Sequence, residues 1–266
     1  MEALATAVAR LLIRGGWLAG LVILETLLLT GFWFAGPTPF GDAFDRRAAE
    51  ADLLLLTLTS LPALFAGALL ASGDREDGMG DFYRSCRISP ETQVLGTLIG
   101  QWGVMGVALT LSLVVSLALA TPSALLTKSF GISLGLALFS TAIHGAWGLV
   151  LGSWLRSRWA AVAAALVFWL LTVFALEALV TALLGILPAR WTYPFLGMFL
   201  VTDPSQFVRV SSVFFRDQGW AYGPAFAPVR ERLALPMGWV IFAAPAMIHL
   251  MVPVFLAIRG WKRRSR

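Results

Sequence analysis

The chain has 266 residues, 58% of them hydrophobic and only 13% charged, with a net charge of +5 and a single cysteine. That composition excludes an ordinary water-soluble domain, in which about a quarter of residues are charged, and the lone Cys86 excludes an internal disulfide or a multi-cysteine metal site. Six apolar stretches dominate: roughly Gly16–Ala35, Leu53–Ser72, Val94–Ala120, Phe130–Ser153, Trp159–Leu184 and Met237–Ile258, each near the ~20 residues a helix needs to cross a bilayer core.

Transmembrane strands are shorter and alternate in polarity, which these runs do not. Helices satisfy their own backbone in lipid. The expected fold is therefore all-α integral membrane, in one domain over residues 1–266. It has six transmembrane helices, an N-terminal interfacial helix and a structured outer loop between helices five and six.

In chain order, Leu4, Val8, Leu11 and Leu12 share a helical face away from Arg10 and Arg14, the pattern of a short amphipathic helix on a membrane surface. The first long run exceeds a signal-peptide core and lacks a small-residue cleavage site, so it reads as a retained helix. Gly36–Asp52, with two prolines and four acids, reads as a solvated outer connection. Pro62 predicts a kink in helix two.

The link between helices two and three is unusually polar: Gly73-Asp74-Arg75-Glu76-Asp77-Gly78-Met79-Gly80-Asp81, then Phe82-Tyr83-Arg84-Ser85-Cys86-Arg87. Gly78 and Gly80 should break the outgoing helix, and Asp81 should cap a short turn carrying Phe82, Tyr83 and Arg84. Ser89-Pro90-Glu91 then starts helix three. The short helix suits docking onto a cytoplasmic partner or lying on lipid headgroups. Gly96, Gly100, Gly103 and Gly106 form a small-residue seam on helix three, and Gly16/Gly20 and Gly148/Gly152 are similar pairs.

Helices four and five meet at a tight turn, Ser153–Arg158, flanked by Trp154 and Trp159 as interfacial anchors. The next connection, Gly185–Pro236, is long. Its Trp191–Val201 segment is apolar but too short to span, so it should be re-entrant or interfacial. Asp203-Pro204 opens a helix through Phe215, with Phe207, Val210 and Phe214 on one side. Such a loop is functional more often than not.

Placing the N-terminus in the cytoplasm puts Arg10, Arg14, Arg75, Arg84, Arg87, Arg156, Arg158, Arg259, Lys262, Arg263, Arg264 and Arg266 inside, and Arg46, Arg47 and Lys128 in the two shorter outside loops. The arginines of the long loop between helices five and six count for little, because long loops are weak evidence of orientation. This positive-inside bias predicts both termini cytoplasmic. It makes the positive charge a membrane signature, with the tail Arg259–Arg266 facing anionic lipid, rather than a sign of nucleic-acid binding.

Glu25 and Glu177 lie within apolar runs, where a carboxyl is costly and usually faces protein or water. Either lines a substrate route or a dimer seam, or hydrogen-bonds a neighbouring helix. Gly131-Ile132-Ser133-Leu134-Gly135 on helix four, with His249 on helix six, resembles rhomboid intramembrane proteases. That family places glycine directly after the serine, where Leu134 stands, and the G-x-S-x-G pattern carries meaning in a strand–turn–helix context. His144 and His249 lack the spacing of a metal site. Lys128 and Lys262 follow no Walker A glycine, so the chain does not bind ATP by that loop.

The interfacial helix, six spans, polar coupling segment and structured loop together resemble the ABC-2 type exporter permeases. Glu76-Asp77-Gly78 and Leu95-Gly96-Thr97-Leu98-Ile99-Gly100 are similar to that family's acidic–Gly opening and closing L-G-K-x-x-G, with Thr97 in the lysine position. Asp203-Pro204-Ser205-Gln206-Phe207-Val208-Arg209 is similar to N-P-x-D-x-x-R of the permeases of nitrous-oxide reductase maturation transporters.

The resemblance implies a non-enzymatic permease subunit, dimeric, in the bacterial inner membrane, driven by a separate cytoplasmic ATPase that holds ATP and Mg. The chain itself would hold no cofactor. In the maturation subgroup a sulfur-containing species passes to a periplasmic acceptor for copper-site assembly; elsewhere in the family the cargo is a lipid, drug or polysaccharide. Glu76, Asp81, Phe82, Tyr83, Arg84 and Arg87 would contact the ATPase. Trp191, Asp203, Pro204 and Arg209 would form an outer gate or partner loop, and Glu25 and Glu177 would lie on the substrate route. A non-transporting membrane scaffold is the other class compatible with this layout.

Overall fold

The computed structural model describes residues 1–34, 44–120, 128–155, 157–184, 186, 188, 191, 195, 197–199, 202–215 and 238–264. Among these the secondary structure is helical throughout: α1 Glu2–Arg14, α2 Trp17–Phe34, α3 Phe44–Glu76, α4 Met79–Ser85, α5 Pro90–Ala120, α6 Lys128–Trp154, α7 Arg158–Leu170, a π-helical turn Leu171–Ala175, α8 Leu176–Leu184, α9 Pro204–Phe215 and α10 Gly238–Arg264. Five helical segments are long and apolar enough to cross a membrane, and α1 with α2 passes the same test as a pair bent by 63°. The protein is membrane-embedded.

Gly16 makes that bend possible. Its φ of +78° is open to glycine and strained for other residues, so its role is to turn the chain rather than to form a packing seam with Gly20. The turned α1 lies against the first part of α5. Leu4 sits on Gly96, and Val8 with the Ala5 backbone sits on Gly100. Val8 and Leu12 are buried with Val104 beside Leu18 and Leu70, while Leu11 is 62% exposed and stands off the face expected to bury it. Gly106 meets Leu138 of α6, whereas a Cβ at Gly103 would touch nothing. The expected glycine seam thus serves two different partners and leaves one position open.

The backbones of α3 and α6 approach closely. A Cβ on Gly67 would fall on the backbone of Gly145 and Leu149; one on Gly148 would strike the Leu64 carbonyl, and one on Gly152 the Ala68 carbonyl. Small residues on both helices bring the backbones into contact, where dispersion substitutes for the hydrophobic force that lipid cannot supply. Gln101 of α5 closes the third side. Its amide donates to the Ala63 carbonyl at 2.6 Å, beside Pro62. α3 continues as helix through Pro62.

Several boundaries move. α3 begins at Phe44, so the second half of the expected outer connection is helix. α4 begins at Met79, which places Asp81 inside the helix rather than at its cap, and Gly78, with φ +70°, makes the turn before it. Ser89 caps α5 as expected, accepting from the Thr92 amide at 3.2 Å. The basic tail continues α10 as helix to Arg264, with Lys262 paired to Glu91 at 2.6 Å and Arg263 stacked 4.5 Å over the Trp154 ring.

Gly148→Leu should destabilise the detergent-solubilised protein at the upper end of the about 1–3 kcal/mol typical of overpacking, because backbone blocks the new side chain. Gly135→Ala, where a Cβ meets nothing, should change the thermal unfolding midpoint little. Equal effects of the two substitutions would contradict the α3–α6 contact.

Candidate functional site

Two regions concentrate polar chemistry. The first is the end of the bundle where α3 stops, α5 starts, α6 gives way to α7 and α10 finishes. Arg158 spans it: its Nε lies 3.0 Å from Glu76 Oε2, its Nη2 2.5 Å from Asp77 Oδ2, and its backbone amide donates to Glu76 Oε1 at 2.8 Å. Two acids at the C-terminus of α3 oppose the helix dipole, and the guanidinium across Gly73 compensates them. Glu76, expected at the ATPase interface, tethers the α6–α7 turn. With about 40% exposure of each partner, the pair is worth at most about 1 kcal/mol, so it positions the segment more than it stabilises the bundle.

α4 crosses this end as seven residues. Tyr83 is buried and Phe82 is 55% exposed, their rings 6.1 Å apart. One aromatic anchors the helix and its neighbour is presented outward. The Tyr83 carbonyl accepts from the Ile88 amide, and Gln93 donates to the Ile88 carbonyl; Arg87, at φ +55°, turns the chain between them. Burial, then the Asp74 carboxylate, pushes the Tyr83 hydroxyl from 10 up to about 12. Arg87 and Cys86 are exposed. The side chains of Asp81 and Arg84 lie outside the described residues.

The second region lies within the bundle, where α9 is buried against α3, α6 and α10. Asp203 caps α9, its Oδ1 accepting from the amides of Ser205 at 2.9 Å and Gln206 at 3.3 Å. Pro204 fills the first helical position, where no amide is needed. Ser205 Oγ lies 3.3 Å from His144 Nε2, and His144 Nδ1 lies 2.8 Å from the Ser140 carbonyl. With Nδ1 donating to that carbonyl, Nε2 accepts from the Ser205 hydroxyl, and the neutral ring is satisfied on both sides.

Arg209 reaches Thr57 Oγ1 at 3.5 Å, and Trp169 donates to Ser60 Oγ at 2.9 Å. Between Thr57, Ser60, Ser140, His144, Ser205 and Arg209 lies a cavity of about 10 Å³, room for the centre of one water. Val173 of the π-helical turn completes its wall; such turns recur at functional sites.

His144 lies ten residues before Trp154 on α6, about 15 Å along the helix. α9 therefore reaches well into the bundle. Its apolar side packs as expected, Phe207 and Phe214 against Phe242, and Phe207 also against His249. The polar side, Ser205, Gln206, Ser211 and Ser212, is equally buried. Ser133 and His249, the serine and histidine of the protease resemblance, are both buried, on α6 and α10.

Glu25 of α2 is 4% exposed, with the Ser112 hydroxyl of α5 beside its carboxyl. Ser112 also reaches the Val22 carbonyl, and Ser116 the Thr26 carbonyl. Glu25 thus sits in a polar track between α2 and α5 of one chain. Glu177 lies on α8 and its side chain lies outside the described residues. Trp191 is 53% exposed, whereas Asp203 and Pro204 are buried. The rest of Trp191–Val201 is described only at residues 195 and 197–199, which are helical. His144 and Gln101 carried no sequence signal beyond being polar in apolar runs.

No family model and no curated protein matches this chain.

Two outcomes test these sites. Ser205→Ala should cost about 1–3 kcal/mol by stranding His144 Nε2, and adding His144→Leu should recover much of that loss, because removing both partners leaves nothing unpaired. Additive losses in thermal unfolding would mean the contact is not made. A difference absorbance titration between wild type and Tyr83→Phe should place the Tyr83 midpoint near 12 rather than 10. Because the folded pKa is raised, α4 docking is fully stable below pH 10 and weakens as the pH climbs toward 12.

Proposed function

We propose that this chain is the membrane subunit of a dimeric ABC-2 type exporter in the bacterial inner membrane, driven by a separate cytoplasmic ATPase, with both termini on the ATPase side. In this reading the chain crosses the membrane six times, with α1 lying in the interface. The observation that carries it is α4: a short helix between two long apolar ones, anchored by buried Tyr83 and offering Phe82 outward. An exposed aromatic is the kind of group that dominates interface energy.

Movement of α4 would pass through Glu76 and Asp77 to Arg158, which heads α7. It would then reach the π-helical turn and α9. α9 is the gate in this proposal, since it enters the bundle without crossing it and is held there by hydrogen bonds rather than by length. The likeness of Asp203–Arg209 to the maturation permeases supports a sulfur-containing cargo handed to an external acceptor protein.

Phe82→Ala combined with Arg84→Glu should abolish co-purification with the partner ATPase and abolish its stimulated hydrolysis, while thermal stability stays near wild type. Arg158→Ala should leave ATPase binding intact and lower stimulated hydrolysis. Unchanged binding and hydrolysis in the double variant would reject the ATPase-docking role of α4.

A further inference from the structure

A groove between α1 and α5 is left open by the same packing that seats α1. Its walls are Ala5, Thr6, Ala9 and Ile13 on one side and Ile99, Gly103 and Val107 on the other, closed by Leu18, with a volume of about 360 Å³. That lies in the range of sites that hold small molecules, about 300–1,000 Å³. Ile99, Gly103 and Val107 recur every fourth residue and make one stripe along α5. Ile99 is 44% and Val107 52% exposed. Gly103 forms the floor: the other three glycines of the seam meet α1 or α6, and this one meets nothing.

A second recess adjoins the groove at Thr6 and is lined by Glu2, Ala3, Thr6, Ala7 and Arg10. Its polar groups are one carboxylate, one hydroxyl and one guanidinium, so its charges balance. An apolar channel opening onto an exposed helix face with one positive and one negative side chain is the complement of a dipolar lipid.

We propose that this groove binds one phospholipid of the ethanolamine class. An acyl chain lies over Gly103 along the α5 stripe. Arg10 meets the phosphate, for which a guanidinium is well shaped, and Glu2 accepts hydrogen bonds from the primary ammonium, while the Thr6 hydroxyl between them donates to the Glu2 carbonyl at 3.0 Å. A choline headgroup has no N–H to donate to Glu2. A glycerol headgroup is uncharged, so it offers Glu2 no cation and leaves the phosphate charge uncompensated within the lipid. The proposal goes beyond the transport reading and does not depend on it.

The test titrates the full-length, delipidated chain in detergent with dioleoyl phosphatidylethanolamine, phosphatidylglycerol or phosphatidylcholine and counts bound lipid by native mass spectrometry. One ethanolamine lipid per chain should bind about tenfold or more tightly than either competitor, as one charge-assisted hydrogen bond would give. Gly103→Phe, which enters open space, should remove it, and Val107→Trp should do the same by a different route. Glu2→Gln should erase the preference over phosphatidylglycerol while leaving lipid bound.

Equal binding of the three lipids to wild type overturns the headgroup assignment. Retention of the lipid by both groove variants overturns the site. Gly103→Phe that splits a dimer without changing bound lipid identifies the groove as an interface between copies and overturns it as well.

Discussion

The contact of α3 with α6 sets what every other element can do. Backbone meets backbone across Gly67, Gly145, Gly148 and Gly152, so these two helices cannot slide or rotate without a clash. Their closeness brings Thr57 and Ser60 of one helix opposite Ser140 and His144 of the other. At their ends it brings Glu76 within reach of Arg158. In lipid, where apolar surface gains little by leaving one apolar neighbour for another, such close approach is the main source of helix association. The remaining helices are accommodated around this pair, α5 by inserting Gln101 and α7 by anchoring Trp169 on Ser60.

Some buried polar groups pair across helices, as Ser205 does with His144 and Trp169 with Ser60, and others bond back to their own helix, as Ser211 does to Phe207. An unsatisfied donor in hydrocarbon costs several kcal/mol, and α9 carries four buried polar side chains between Ser205 and Ser212. It is housed because Asp203 caps its start and Ser205 has His144 as a partner. The polar interior and the rigid α3–α6 seam are therefore two aspects of one arrangement: the seam holds hydroxyls and imidazole at fixed separations, and those separations fit one face of α9.

Much of this was legible in the sequence. Long apolar runs mark the helices because a bilayer imposes length, and Ser89-Pro90 marks a start because capping chemistry is local. The helix after Asp203-Pro204 was legible for the same reason. Less legible was anything set by distance between elements. Gly16 and Gly103 look like seam residues alongside Gly96 and Gly148, yet one turns the chain and one faces open space, a distinction that depends on what lies opposite. Glu76 reads as a surface acid until Arg158, 82 positions later, is placed beside it. The apolar side of α9 follows from periodicity. Its buried polar side does not, because serine and glutamine in a connecting loop look solvated. The π-helical turn at Leu171–Ala175 left no mark in a uniformly apolar run.

The placement of α9 also fixes an order of assembly. As the chain emerges, α3 and α6 precede α9, and α10 follows it, bringing Phe242 and His249 to its apolar side. A helix of twelve residues with buried serines and glutamine is too short and too polar to partition into lipid alone. It can enter only a bundle whose polar lining already exists, so α9 insertion is a late step of biogenesis. Damage to the α3–α6 seam would then surface first as α9 stranded outside the bundle, a form that membrane proteases can recognise before any helix leaves the bilayer.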